Sequence, residues 1–118
     1  MSDEQTTAAV DRLVQAYNAG EMDAFLACFA DGARIFRGRD EVAFDGKDAI
    51  RQEYAPQFEK GFKNNPGERI TVGRHVAAKE RVTAGQGGGE TDFLAIYTVE
   101  DGLIARVDFL GAEVAAKA

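Results

Sequence analysis

The chain has 118 residues, with 14 lysines and arginines against 20 aspartates and glutamates, and a formal net charge of −6. This length fits one domain that can bury a core without disulfides or metals. The acidic balance argues against nucleic acid as a partner, because phosphate binding requires clustered lysine and arginine. The single cysteine, Cys28, cannot form an internal disulfide, which favours a reducing compartment. Without a transmembrane-length apolar run or a leader, we expect a cytoplasmic protein with no membrane partner.

The first third of the sequence predicts two helices. Apolar side chains recur at helical spacing from Val10 to Tyr17, and Gly20 is suited to a left-handed cap at the helix end. Asp3 and Thr6 are the candidate residues for capping its start. A second helix is expected over about residues 22–30, before Gly32. It is followed by a short strand, "ARIF", and a second strand, "EVAFDG".

The remainder predicts one more helix and then strands. "KDAIRQEYAPQFEKGF" has helical periodicity, and Pro56 should kink it or end it early because proline has no N–H. "NNPG" is predicted to be a loop. Four strands should follow, namely "ERITV", "HVAAKERVTA", "TDFLAIYTVE" and "LIARVDFLG". The glycine-rich "GQGGG" is a predicted hairpin tip, and Asp101-Gly102 is a strong hairpin signal. Helices followed by an antiparallel meander predict an α+β fold.

The order of these elements, with "YNAG", "FADG", "GKDAIRQEYA" and "YTVEDGLIARVDFLG" at their positions, resembles the nuclear transport factor 2-like superfamily. More narrowly, it resembles the SnoaL-like branch, which includes polyketide cyclases and is related to ketosteroid isomerases and limonene epoxide hydrolases. The resemblance implies one domain over residues 1–118, with its core at about 6–111. It also implies a cone-shaped barrel, with N-terminal helices packed in a curved, mostly antiparallel sheet. A ligand pocket in the mouth and a homodimer are implied as well.

The resemblance permits a residue-by-residue test for isomerase chemistry. In ketosteroid isomerases a carboxylate on the first strand, a tyrosine of the first helix and a protonated aspartate on a late strand perform the reaction. These positions fall on Arg37, Leu13 and Ala95 of this chain. A neighbouring tyrosine of the third helix is kept as Tyr54. Steroid isomerisation by that route is therefore not expected.

The alternation of side chains along the last two strands suggests that another carboxylate, Asp108, takes the place of the aspartate missing at Ala95. If Asp101-Gly102 is a two-residue turn, residues whose numbers sum to 203 are paired, and Asp108 faces Ala95. Since the resemblance places Ala95 toward the pocket, Asp108 is a candidate general acid or base. Arg37 would pair with it or bind an anion, and Tyr54 would donate to a substrate oxygen. The alternative is a structural ion pair between Asp108 and Arg37 or Arg106.

We expect a single cavity that holds a small apolar or aromatic ligand with one polar end. No cofactor is implied, and one histidine with one cysteine makes a transition-metal site improbable. The predicted lining residues, in addition to Asp108, are Leu13, Tyr17, Ile35, Arg37, Tyr54, Phe58, Ala95 and Tyr97.

Two functional hypotheses remain open from the sequence. One is a cofactor-independent isomerase or cyclase that acts by proton transfer on an apolar cyclic ligand. The other is a non-catalytic ligand-binding domain of the same fold, and a protein-association module ranks last. The same phasing turns four apolar side chains outward, and such a patch predicts a homodimer packed sheet against sheet. These four residues are Leu94, Ile96, Val107 and Phe109.

Overall fold

The computed structural model describes residues 2–85 and 88–111, so part of the predicted glycine-rich hairpin tip lies outside the described residues. The helices are α1 (Asp3–Ala19), α2 (Met22–Ala27) and α3 (Lys47–Glu59). The strands are β1 (Phe29–Arg37), β2 (Glu41–Asp45), β3 (Lys63–Val72), β4 (His75–Thr83), β5 (Glu90–Glu100) and β6 (Leu103–Leu110). Within this part of the chain, no helix combines the length and the hydrophobicity needed to cross a membrane.

The six strands form one curved sheet in the order β2-β1-β6-β5-β4-β3. Every neighbouring pair is antiparallel except β1 and β6, which run parallel. The three helices pack on one side of the sheet, which we call its inner face, and the opposite side is the outer face. The predicted α+β fold with a curved, mostly antiparallel sheet is confirmed.

Helix α1 is capped by Ser2, and not by the predicted Asp3 or Thr6. The Ser2 side chain accepts a hydrogen bond from the Gln5 amide, and the Gln5 side chain accepts one from the Ser2 amide. The two predicted caps instead attach the helix to the β3–β4 turn. The Thr6 hydroxyl donates to the Gly73 carbonyl at 2.6 Å, and the Gly73 amide donates to Asp3 Oδ1 at 2.8 Å. These bonds fix the start of α1 against the sheet.

The second helix is shorter than predicted because strand pairing begins within the expected helix. Helix α2 ends at Ala27, and Phe29 is already the first residue of β1. The Ile104 amide donates to the Cys28 carbonyl at 2.8 Å, and Phe29 pairs with Ile104. A sheet bond across 76 residues of chain therefore takes the place of the next helical turn.

Both prolines lie inside regular elements, so the predicted early end of the helix at Pro56 and the predicted loop at Pro66 are wrong, and the alternative of a kink at Pro56 stays a prediction. Helix α3 continues through Pro56 to Glu59 instead of ending there. The predicted "NNPG" loop belongs to β3, which is an edge strand, and its register with β4 shifts between Pro66 and Arg69. Proline is tolerated at edge strands and bulges because there the missing N–H breaks no ladder bond.

The predicted pairing of β5 with β6 holds for only two residue pairs. Glu100 pairs with Leu103 and Val99 with Ile104, as a two-residue turn requires, but Thr98 then pairs with Arg106. Ala105 is therefore an extra residue in β6, a β-bulge. From this point onward, each β6 side chain lies on the face opposite to the one predicted, because strand side chains alternate with a period of two.

An aromatic cluster joins the helices to the sheet. The rings of Tyr17, Phe25 and Phe58 contact one another with centroid distances of 5.2–6.1 Å, and Phe25 also packs on Phe29 at 5.2 Å. Edge-to-face packing of this kind adds roughly 0.5–1.5 kcal/mol per pair beyond area burial. The cluster holds α1, α2 and α3 against the inner face and leaves open space beyond it.

Candidate functional site

A cavity with a volume of about 290 Å³ lies between the helices and the inner face of the sheet. That volume is near the lower end of the range for small-molecule sites in proteins. Its wall is dominated by aromatic and aliphatic side chains. The apolar and aromatic lining residues are Leu13, Val14, Tyr17, Phe25, Phe29, Ile35, Ala43, Phe44, Tyr54, Phe62, Val82, Phe93, Tyr97, Val107 and Phe109.

One carboxyl group, that of Glu80, is buried in this wall. Glu80 is 2% exposed, and the Tyr97 hydroxyl lies 3.0 and 2.9 Å from its two oxygens. The Asn64 amide Nδ2 donates to Glu80 Oε1 at 3.0 Å. Strands β3, β4 and β5 contribute one member each. We call these three residues the Glu80 cluster.

Burial raises the pKa of Glu80 above its ordinary value of 4.5. Desolvation is the largest cause, and the hydrogen bonds from Asn64 and Tyr97 and the positive charge of Arg69 oppose it. Burial and the adjacent Glu80 charge together raise the pKa of Tyr97 well above 10. The tyrosine therefore stays protonated and serves as a hydrogen-bond donor. Glu80 combines a raised pKa with a position in a cavity wall, as general acids and bases do.

A second polar group lies on the helical side of the cavity. The Tyr17 hydroxyl donates to Gln57 Oε1 at 2.6 Å, and Gln57 Nε2 lies 3.4 Å from Glu53 Oε2. Tyr54 lines the cavity beside them, and burial raises its pKa. Among the described residues the Tyr54 hydroxyl has no hydrogen-bond partner, which leaves it available to a molecule in the cavity.

Six of the nine predicted lining residues lie in the wall of this cavity, and Phe58, Ala95 and Asp108 do not. Those in the wall are Leu13, Tyr17, Ile35, Arg37, Tyr54 and Tyr97. Phe58 packs in the aromatic cluster, and Ala95 is fully buried in the core. Arg37 is half exposed and its Nη1 lies 2.8 Å from Glu41 Oε2, so it stands where the cavity meets solvent with its charge already paired.

The predicted position of Asp108 is wrong. The β6 bulge pairs Asp108 with Ile96, on the outer face, and not with Ala95. There its oxygens accept from Arg106 Nε at 2.7 Å and Nη2 at 2.9 Å. The Arg106 guanidinium also lies 3.6 Å from the centroid of the Phe36 ring. Asp108 thus forms an ion pair with Arg106 outside the cavity, which is the alternative that the sequence left open.

Glu80 itself was missed, although the sequence carries a signal for it. In "HVAAKERVT" the buried residues of β4 are Val76, Ala78 and Glu80, at a strict period of two. A charged residue on the apolar face of a strand indicates a buried carboxyl group. Within residues 2–85 and 88–111, no three His, Cys, Asp or Glu side chains are close enough together to hold a metal ion.

The family of the chain follows from its sequence. A family model described as a SnoaL-like domain matches residues 10–107. The chain belongs to the SnoaL-like family. The resemblance predicted from the quoted segments is thereby confirmed. No functionally curated protein matches the sequence.

Solved structures share the fold of this SnoaL-like chain over most of its length. A cystatin-fold protein of uncharacterised function from Novosphingobium aromaticivorans is 27% identical, with a TM-score of 0.77 and coverage of 93% of this chain and 98% of its own. A protein from Sinorhizobium meliloti provisionally named a polyketide cyclase is 20% identical, with a TM-score of 0.74 and coverage of 92% and 99%. One from Kribbella flavida, provisionally named a ketosteroid isomerase, is 19% identical, with a TM-score of 0.77 and coverage of 90% and 76%.

The raised pKa of Glu80 predicts how stability depends on pH. Because the folded state holds this proton more tightly than the unfolded state, the free energy of unfolding should fall as pH rises from about 4.5 through the folded pKa. The contribution of one group cannot exceed about 1.4 kcal/mol per pH unit. Glu80→Gln removes the titrating group and should abolish this part of the slope, as measured by urea unfolding at several pH values.

Glu59→Gln serves as the control for that experiment, because Glu59 is an exposed carboxylate at the end of α3. It should leave the slope of stability against pH unchanged. If Glu80→Gln and the parent protein lose stability in parallel between pH 4.5 and 8, the raised pKa is refuted.

Proposed function

We propose that this SnoaL-like protein binds an apolar, ring-containing small molecule in the cavity, and that Glu80 transfers a proton on it. The observation that carries the proposal is a single buried carboxyl group, held by two hydrogen-bond donors, in a wall that otherwise consists mostly of aromatic and aliphatic side chains. Aromatic walls with a few fixed polar groups are typical of small-molecule sites. The provisional names of two structures with the same fold, a polyketide cyclase and a ketosteroid isomerase, agree with this class of ligand.

The proposed chemistry is a cofactor-independent proton transfer next to a carbonyl group, as in an isomerase or cyclase. The ionised form of Glu80 takes a proton from the carbon beside the carbonyl, and the C–H electron pair becomes the new C=C bond. The carbonyl pair moves onto oxygen, where the unpaired Tyr54 hydroxyl donates a hydrogen bond. The raised pKa of Glu80 suits the reverse step, in which the same proton returns to a different carbon.

One feature favours the non-catalytic alternative. The Tyr97 hydroxyl is within hydrogen-bond distance of both Glu80 oxygens, and Asn64 bonds one of them, so the carboxyl group is already engaged without a ligand. A carboxyl group of this kind can fix the orientation of a bound molecule without exchanging a proton. Binding and proton transfer therefore need separate tests.

For binding, we expect that obstruction of the cavity abolishes uptake of an aromatic probe. Thr91 lines the cavity and is only partly buried, so Thr91→Phe adds bulk there without disturbing the core. It should lower the affinity for 2-naphthol at least about tenfold, or 1.4 kcal/mol. The chain has no tryptophan, so naphthol fluorescence reports binding directly.

Thr98→Phe is the matched control for Thr91→Phe. Thr98 belongs to the same strand but pairs with Arg106 on the outer face, and its substitution should leave the affinity unchanged. Equal affinities for the parent protein and Thr91→Phe would place the probe outside the cavity.

For proton transfer, the test is deuterium incorporation into 2-tetralone, a cyclic ketone with exchangeable hydrogens, followed by NMR in D2O. The protein should accelerate exchange, and Glu80→Gln should lower the rate about 100-fold or more because general acid–base catalysis contributes on that order. Asp108→Asn should keep the full rate, since Asp108 lies on the outer face. Unaccelerated exchange with intact naphthol binding would favour the non-catalytic alternative.

We also propose that the protein forms a homodimer through the outer face of the sheet. The residues of this interface differ from the four that the sequence predicted. Val107 and Phe109 line the cavity and cannot contribute. Apolar side chains on three neighbouring strands take their place and form an outer apolar band, in which Ile70 and Val72 are 69% and 68% exposed. A second copy is the simplest cover for such a patch. The band consists of Ile70, Val72, Ala77, Leu94 and Ile96.

Ile70→Asp should dissociate this dimer, because it buries a charge without a partner within the proposed interface. Sedimentation at micromolar concentration should give a dimer mass for the parent protein and a monomer mass for the variant. Leu103→Asp, which changes a 37% exposed leucine outside the band, should remain dimeric. A monomer mass for the parent protein would overturn the proposal.

A further inference from the structure

Helix α1 is attached to the edge strand β3 through polar side chains on one face of the helix. Arg69 Nη1 donates to Asp11 Oδ1. About two helical turns further along α1, Asn18 Oδ1 accepts from the Asn64 amide at 2.7 Å. Asn64 is a member of the Glu80 cluster, so one of these contacts already supports the buried carboxyl group. The other contact places a charged residue, Arg69, next to the same cluster.

Arg69 and Glu80 are neighbours on the inner face of the sheet. Arg69 pairs with Ala78, and Ala78 and Glu80 alternate along β4 with their side chains buried on that face. Residues in this diagonal relation have Cβ atoms roughly 7–8 Å apart, which is within reach of long side chains. Arg69 does not line the cavity. Its charge therefore acts on Glu80 from outside the cavity.

The charge of Arg69 is only partly neutralised by its partner, Asp11. The Arg69 side chain is 18% exposed, whereas that of Asp11 is 54% exposed, so solvent screens the charge of Asp11 more strongly. Asp11 binds Nη1, while Arg69 Nε is buried and has no hydrogen-bond partner among the described residues. A net positive potential therefore remains beside Glu80.

The other titratable groups around Glu80 are neutral or exposed. Burial raises the pKa of three tyrosines near Glu80, so they stay protonated at neutral pH, and Glu53 of α3 is exposed where it lines the cavity. Among the described residues, Arg69 is the charged group that lowers the pKa of Glu80, against the larger effect of desolvation. The three tyrosines are Tyr17 of α1, Tyr54 of α3 and Tyr97 of β5.

We infer that Arg69 is a positioning residue for the proposed proton transfer, because its charge keeps Glu80 able to ionise, and that Asp11 limits this charge. The inference rests on the proposed function and names the residues that regulate its base. Without Arg69, the buried carboxyl group would hold its proton more tightly and accept one from the ligand less readily. Beside a cation without Asp11, it would be a weaker base. The Asp11–Arg69 pair keeps Glu80 between these two extremes.

The experiment is an NMR titration of isotope-labelled side-chain carboxyl carbons, in which the Glu80 signal is identified by its absence from Glu80→Gln. Arg69→Met keeps most of the side-chain length and removes the charge, so it should raise the pKa of Glu80. Arg69→Lys keeps the charge and should leave that pKa near the parent value. Asp11→Asn removes the opposing charge at an exposed position and should lower it. A merely structural role would not produce shifts of opposite sign.

The same variants should change the pH profile of deuterium exchange into 2-tetralone. At pH values below the Glu80 pKa, the rate is proportional to the ionised fraction. There Arg69→Met should lower the rate about tenfold, which corresponds to the loss of one nearby opposite charge, and Asp11→Asn should raise it. At higher pH, where Glu80 is ionised in every variant, the rates should converge.

Arg81→Met is the matched control, since Arg81 follows Glu80 in the sequence but is exposed and bound to Asp92. It should leave the Glu80 titration unchanged. Equal titrations of Arg69→Met and the parent protein would overturn the inference, as would Arg69→Lys shifting as far as Arg69→Met.

The outcomes also separate the inference from the proposed function. If Arg69→Met does not fold, Asp11→Asn decides, and an unchanged Glu80 titration in that variant overturns the inference. If the titrations shift as expected but the parent protein does not accelerate exchange, the proposed proton transfer fails, while the control of Glu80 ionisation by Arg69 and Asp11 stands.

Discussion

The β-bulge at Ala105 determines what the two faces of the central strands present. It arises where β6 lies between β5 and β1, and both neighbours shift register there, since Phe29 pairs with Ile104 and Arg34 with Arg106. One inserted residue turns Val107 and Phe109 into the cavity and Arg106 and Asp108 out of it. Without the bulge an ion pair would face an aromatic cavity, and two large apolar side chains would face solvent.

The inner face of the sheet is organised around one buried carboxyl group, that of Glu80. Its two donors come from the strands on either side, so the cluster ties β3, β4 and β5 together across the sheet. Asn64 is in turn held by reciprocal bonds with Asn18 at the end of α1, at 2.7 and 2.9 Å. The position of the carboxyl group therefore depends on the docking of α1. Replacing a buried, hydrogen-bonded group of this kind with alanine would leave its partners unsatisfied.

Local sequence signals were sufficient for the fold and insufficient for the site. Helical periodicity, Gly20 and the Asp101-Gly102 turn placed α1, α3 and the last three strands correctly, because each signal acts over a few residues. The early end of α2 and the bulge at Ala105 depend on bonds between residues distant in sequence. No local pattern in "LIARVDFL" distinguishes an alternating strand from one with an inserted residue, so the face of Asp108 could not be predicted. Glu80, in contrast, could have been predicted, because it occupies the same alternate positions of β4 as Val76 and Ala78.

The charged groups on the two faces of the sheet differ in their surroundings. Asp108 on the outer face forms an ion pair with Arg106, whereas Glu80 on the inner face is buried in the wall of a cavity. On the outer face, Arg106 satisfies Asp108 through two bonds and stacks on Phe36, so this pair is complete without a ligand. On the inner face, the Glu80 carboxyl group is held by Asn64 and Tyr97 in a largely apolar cavity wall, which Tyr54 also lines. A buried carboxyl group in an otherwise largely apolar cavity wall is the arrangement expected where a small molecule is bound and oriented. The proposed chemistry therefore depends on the buried carboxyl group of the inner face, and the Arg106–Asp108 ion pair of the outer face is a structural contact of the sheet.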